Sequence, residues 1–433
     1  MVAAPHPFRI ANYRAYWLSR FSGAIALSAL GIIIAWQVYD LARETRGVRE
    51  SAFLLGMIGL AQFLPLLLLT PVTGLAADTL SRRWIVRATT ALLMATTALL
   101  GLLTARGGLT LPALFAAAVA IGVARAFSGP AYSALAPNLV PTASLPTAIA
   151  LGAIAWQVGT IAGPSLGGLL FDLDPVAAYA AATALFVLAL AAMFLIGPVP
   201  QPAVREGQQA LSRIVEGFGY VRRNRLVAAS ITLDLFAVLL AGTTALVPVF
   251  AREVLDVGAD GYGMLAASFG AGAAAMALWF SFRPMKQDVG RKMLWSVIVF
   301  GLGIVAFGLS RHYWLSVAAL AVAGGADMVS VYIRSSLIQL HTPDEMRGRV
   351  SAVSGVAISA SNELGEARAG LFAALMGPVA AVVVGGVAAI GVTLLWARLF
   401  PELKLAKTFD PPEIAPAATP SSQVSTLPGV ATP

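Results

Sequence analysis

Seven ionisable side chains lie inside stretches of the sequence that are otherwise apolar: Arg20, Arg125, Asp234, Asp327, Glu363, Glu366 and Arg368. A charge in hydrocarbon costs about 3 kcal/mol even on the mildest scales, so each needs a partner or a task. A buried carboxylate either pairs with a basic group or takes up a proton. Glu363 and Glu366 are three residues apart and share a helix face, whereas Arg368 lies about 140° or more around the helix from either. Two carboxylates that close do not both stay ionised, which makes one of them a candidate proton carrier. The competing role is hydrogen bonding that holds their helix to its neighbours. For Asp234 and Asp327 the alternatives are proton or cation coupling and a structural ion pair with Arg125. Arg125 itself positions a charge partner or a substrate anion. Arg20, about a turn inside its expected span, either lines an interior cavity or snorkels to the headgroups.

Other chemistries have little support. The chain has no cysteine and three scattered histidines (His6, His312, His341), which leaves no thiolate or metal site. No G-x-x-x-x-G-K loop occurs, so direct use of ATP is not expected. No catalytic residue, metal or other cofactor is expected, and the chain does not read as an enzyme.

Of 433 residues, 58% are hydrophobic and 12% charged, half the usual charge of a soluble domain. Apolar runs near 20 residues place spans at about 16–39, 52–76, 85–104, 110–131, 145–171, 175–196, 226–250, 261–281, 293–310, 312–333, 348–373 and 375–398. The first lacks a small-residue cleavage site and reads as a retained helix. The expected fold is an all-α integral membrane protein, with twelve transmembrane helices in two pseudo-symmetric six-helix bundles. The bundles span about residues 1–197 and 226–400. Between them, about 198–225 holds Arg205, Arg213, Arg222, Arg223 and Arg225. Leu211, Ile214, Val215, Phe218 and Val221 recur there at helical spacing, as in a basic amphipathic helix on the membrane surface. A tail from about 401 to 433 holds six prolines after Asp410 and reads as disordered.

Twenty of the 29 Lys and Arg fall on the side of the termini and six on the other, which places both termini in the cytoplasm of a cell (inner) membrane. The +8 charge then reflects topology and attraction to anionic lipid, with no nucleic-acid partner. The halves also match weakly: Gly56-Met57 with Gly263-Met264, Ser81-Arg82-Arg83 with Gly290-Arg291-Lys292, and Gly163 with Gly365. Parallel repeats of this kind rock about a central site.

Span 5 contains Gly159, Gly163 and Gly167 at every fourth residue, a smooth stripe for close helix approach, followed by Gly168; Pro164 bends the same helix. The corresponding segment of span 11, Ser361 to Gly370, keeps Gly365 and Gly370 but carries Glu363, Glu366 and Arg368 instead of the proline. The first copy is expected to act as a hinge that closes the outer end, and the second to carry the coupling. Trp36, Tyr39, Trp156, Phe236, Phe250 and Trp279 are expected to anchor span ends in the interface, with a substrate-stacking surface as the alternative.

Several of these stretches resemble a major facilitator superfamily transporter. Gly74-Leu-Ala-Ala-Asp78-Thr-Leu-Ser-Arg82-Arg83 is similar to its inner-loop motif, although Thr79 and Ser81 replace the usual basic residue and glycine. Arg125-Ala-Phe-Ser-Gly129 is similar to its arginine motif, and Gly159 to Gly168 matches G-x-x-x-G-P-x-x-G-G of drug and proton antiporters. Glu345-Met-Arg-Gly-Arg-Val350 and Ser361-Asn-Glu-Leu-Gly-Glu366 resemble the branch of enterobactin and multidrug exporters.

The resemblance implies that Arg20, Arg125, Asp234 and Asp327, one each on spans 1, 4, 7 and 10, line a central cavity. It also implies an inner gate formed by Gly74, Asp78, Arg82 and Arg83 with the start of span 11, at Glu345, Arg347 and Arg349. The expected function is export of a small amphipathic compound, drug-like or siderophore-like, by alternating access in exchange for protons. The expected partners are that substrate, protons and membrane lipids, with the chain a monomer. The alternatives are an importer on the same fold, or a channel or transport-dead receptor.

Overall fold

The computed structural model describes residues 5–199 and 210–409, with side chains there except at positions 70, 71, 74, 75, 77, 78, 210–214 and 344. The first bundle comprises α1 (Ala11–Arg43), α2 (Val48–Thr79), α3 (Arg82–Ala105), α4 (Leu111–Leu135), α5 (Leu145–Leu173) and α6 (Pro175–Phe194). A connecting helix, α7 (Ala210–Arg223), leads to α8 (Arg225–Ala241) and the short α9 (Val247–Glu253). The second bundle continues with α10 (Ala259–Phe282), α11 (Val289–Leu309), α12 (Tyr313–Leu340), α13 (Asp344–Met376) and α14 (Pro378–Leu399), and α15 (Pro401–Leu405) follows. Proline in the first turn starts α4, α5, α6, α9 and α14, where the missing donor breaks no helical bond. Asp174 caps α6 through the amides of Val176 and Ala177.

Eleven helices among the described residues are long and apolar enough to cross a membrane, with α8 and α9 counted as one. The twelfth is α13, 33 residues long, whose charges keep it outside that composition limit while α2, α8 and α14 pack around it. Span 7 was expected to be continuous, but the helix stops at Gly242 and resumes through Thr244–Leu246 and Pro248. Gly242 passes tightly beside α13: a Cβ there would sit 3.3 Å from the Cα of Gly365.

The hydrophobic core shows how the bundles are joined. Toward the end away from the termini one cluster runs through both, including Ile33, Trp36 and Tyr39 of α1 and Phe250, Tyr262 and Leu265 of the second bundle. At the end that carries the termini the bundles have separate clusters, one around Tyr13, Val86, Leu135 and Met193, the other around Val221, Ile231, Ile338 and Val350. The bundles therefore meet at one end and part toward the other.

Two helix crossings make the closed end. A Cβ on Gly168 of α5 would sit 3.0 Å from the Cα of Gly263 in α10, and one on Gly370 of α13 would sit 2.8 Å from the Cα of Gly56 in α2. Gly56 corresponds to Gly263 in the internal repeat, so the crossings are copies of each other. The stripe of α5 faces its own bundle instead. Side chains at Gly159, Gly163 and Gly167 would meet Ala24, Ser28 and Ala29 of α1 at 2.5 to 2.8 Å.

Candidate functional site

The approach of α4 and α13 brings Arg125 to Glu363. Arg125 Nη1 donates to Glu363 Oε1 at 3.1 Å and to Gln62 Oε1 of α2 at 3.2 Å. Glu363 is nearly buried, whereas the Arg125 side chain is 38% exposed, so the pair is solvated from the arginine side. Glu366, one turn along α13, lies over Gly59 of α2; a Cβ there would stand 2.6 Å from its Oε2. Gly59 thus creates the room that this carboxylate occupies.

Beside the pair, between α1, α2, α3, α4, α5 and α6, is a cavity of about 340 Å³ that Ser359 of α13 also reaches. Arg20 lines it and is held by its own bundle. Its Nε donates to the Gly152 carbonyl at 3.1 Å, and its guanidinium carbon lies 5.7 Å from the Tyr132 ring centre and 5.8 Å from that of Trp156.

Asp234 and Asp327, expected in the same cavity, lie elsewhere. Asp234 of α8 forms a buried ion pair with Arg334 of α12, and with Asp327 and Ser330 it lines a void of about 10 Å³ inside the second bundle. Its partner is therefore not Arg125. The apolar run that ends at about 333 leaves Arg334 outside the expected span, yet α12 continues to Leu340 and buries it. Arg368 is also apart from the glutamates: its Nη2 donates to the carbonyl of Gly242, covering the broken end of α8.

At the end carrying the termini, Arg82 Nη1 donates to Ala134 O and Arg83 Nη1 to Ile196 O, each at 2.9 Å, and Arg87 donates to Met193 O and Ile196 O. These arginines supply donors to carbonyls that a helix end leaves open. Arg347 does the same for Gln339 O at 2.8 Å. Arg349 binds Glu216 of α7 at 2.5 Å, tying the connecting helix to α13, and Glu345 is exposed. The side chains of the expected gate residues Gly74 and Asp78 in α2, and of Leu211, Arg213 and Ile214 in α7, are not among those described, while Arg205 and the tail from 410 lie outside the described residues. In the described part of α7, Val221 is buried while Val215 and Phe218 are exposed.

A second charged cluster joins α1 to α9. Tyr39 Oη and Arg43 Nε of α1 donate to Glu253 Oε1 of α9 at 2.9 and 3.0 Å, and Asp40 pairs with Arg252. Next to it Trp36 stacks on Tyr262 of α10 at 5.9 Å. Trp36, Tyr39 and Phe250 are accordingly buried in the junction between bundles and are not interfacial anchors, because α1 extends to Arg43 and meets α9 there. The available signal was two acids, Asp40 and Glu253, each near a basic residue at the expected outer end of a span.

The chain is 27% identical over 399 residues to the enterobactin exporter EntS of Citrobacter koseri, covering 90% of this chain and 92% of that protein. It is 28% identical over 392 residues to the enterobactin exporter EntS of Shigella boydii, covering 88% and 91%. Among solved structures, an inward-facing, unoccupied bacterial homologue of the human lysosomal transporter Spinster superposes with a TM-score of 0.71 at 14% identity, over 92% of this chain and 99% of that one. A D-xylose–proton symporter superposes at 0.66 and 13% identity, over 90% and 98%. These structural likenesses establish the shared fold. A family model described as transmembrane secretion effector matches residues 2–422, and the chain belongs to that family of transporters within the major facilitator superfamily.

Proposed function

We propose that this protein exports a small amphipathic compound, siderophore-like or drug-like, by alternating access in exchange for protons. The observation that carries the reading is the Arg125–Glu363 pair, which joins the two bundles beside the cavity with Glu366 one turn away. A proton on Glu363 or Glu366 weakens the attraction to Arg125. The bundles are then free to rock, and proton binding on one side becomes linked to cavity opening on the other. With both termini in the cytoplasm, the charged cluster of α1 and α9 and the glycine crossings close the outer end. The cavity then faces inward, ready to load an exported compound. Asp234 and Asp327 form a second candidate coupling site within the second bundle. The names of the relatives, enterobactin exporters, support the siderophore-like class.

The test is efflux from proteoliposomes containing the full chain, with the pH gradient imposed or collapsed. Proton exchange requires efflux to rise with an inwardly directed gradient, and efflux that ignores the gradient refutes it. Counterflow of labelled substrate separates a carrier from a channel, and gradients of opposite sign separate export from import.

A further inference from the structure

Among the described residues, two arginines and no acid line the cavity. Arg125 is balanced by Glu363 at 3.1 Å. Arg20 forms no salt bridge among the described residues, so its charge is directed at the cavity without a neutralising partner. Its surroundings fix it in place: the Gly152 carbonyl takes Nε, and the guanidinium lies over the rings of Tyr132 and Trp156. Cation–π contact of this kind orients a guanidinium without cancelling its charge. Trp156 is 45% exposed, so an apolar face remains for stacking. Thr89, Thr90 and Ser128 add hydroxyl groups to the lining, the Thr89 proton being donated to the carbonyls of Ile85 and Val86. The volume of about 340 Å³ lies within the range for small-molecule sites.

We infer that Arg20, in contact with Tyr132 and Trp156, is the anion-recognition residue of this cavity, and that the exported compound is an aromatic organic anion. Its ring stacks on Trp156 and its acidic group receives the Arg20 guanidinium N–H groups. This assignment rests on the export reading and narrows its substrate class.

The test uses three naphthalene probes that differ in charge, 2-naphthoate, 2-naphthamide and 2-naphthylmethylammonium, titrated calorimetrically into the purified full-length protein. The wild type should bind the carboxylate at least tenfold more tightly than the other two. Arg20→Gln should remove that preference while leaving amide binding within about twofold, and Arg20→Lys should keep part of it, since the charge stays and the planar fork is lost. Trp156→Leu should weaken the carboxylate and the amide together, and it keeps the assignment open to refutation if Arg20→Gln does not fold. Equal binding of the three probes, tighter binding of the ammonium, no binding of any, or an undiminished preference in Arg20→Gln overturns the assignment. Counterflow of the amide or ammonium without preference for naphthoate would leave export standing and remove the anion site. Charge-selective binding without counterflow would do the reverse.

Discussion

Arg125 and Glu363 are separated by 238 positions in the chain and meet at 3.1 Å, one in each bundle. Any motion that parts the bundles along this line must break the contact. Glu363→Gln keeps the shape and removes the charge. A charge-assisted hydrogen bond with one exposed partner contributes about 1 kcal/mol, several-fold in the balance between conformations. The expected result is that exchange driven by a pH gradient falls at least tenfold while substrate counterflow continues. Gradient-driven exchange at the wild-type rate would clear Glu363 of the coupling role.

The cluster of Tyr39, Asp40, Arg43, Arg252 and Glu253 is expected to act as a latch on the outer end. Because the chain has no cysteine, a single Leu27→Cys in the cavity wall reports access without background. Adding Glu253→Gln, at a partly exposed site, should raise labelling by an external, membrane-impermeant maleimide about two- to fivefold, matching a contact of up to about 1 kcal/mol. Labelling that stays constant would remove the latch.

Bulk at the glycine crossings should act more strongly than loss of the latch. Gly168→Leu or Gly56→Leu sets a side chain where the opposing Cα is about 3 Å away, so the helices must separate. We expect external labelling of Leu27→Cys to exceed that of the Glu253→Gln variant and counterflow to drop at least tenfold. Wild-type counterflow in either leucine variant would show that the outer end closes elsewhere.

Asp234 and Arg334 are both nearly fully buried. Asp234→Ala leaves an unpaired charge in the protein interior and should cost about 3–5 kcal/mol, seen as a lower melting temperature in detergent. Asp234→Leu combined with Arg334→Met should recover most of that loss, because neither charge then remains. If the double variant melts below the single one, the pair is not a closed unit.

Much of the architecture was legible because hydrocarbon imposes a length and a composition on every span. The glycines of α5 were visible as a packing stripe, and Arg125, Glu363 and Glu366 stood out by the cost of burying charge. What the sequence did not disclose was partnership. Arg334 looked like a loop residue because hydropathy stops where polar side chains begin, whereas α12 continues past that point and buries it. Asp40 and Glu253 looked like solvated ends, since nothing local places them opposite Arg252, Tyr39 and Arg43. Gly242 could have been one more tolerated glycine; only its approach to α13 and the donor from Arg368 make it a break.

The polarity of α13 has a consequence for synthesis. Ser361, Asn362, Glu363, Glu366 and Arg368 crowd about two turns of this helix, which therefore has weak drive to leave the translocon for lipid unaided. Its polar face is received by α2 and α8, both made earlier, with Gly56 and Gly59 already shaped as the berth for Glu366. Insertion of α13 is thus expected to lean on helices already in the bilayer. Crowding this berth should reduce the amount of protein that reaches the membrane before it alters what the protein does there.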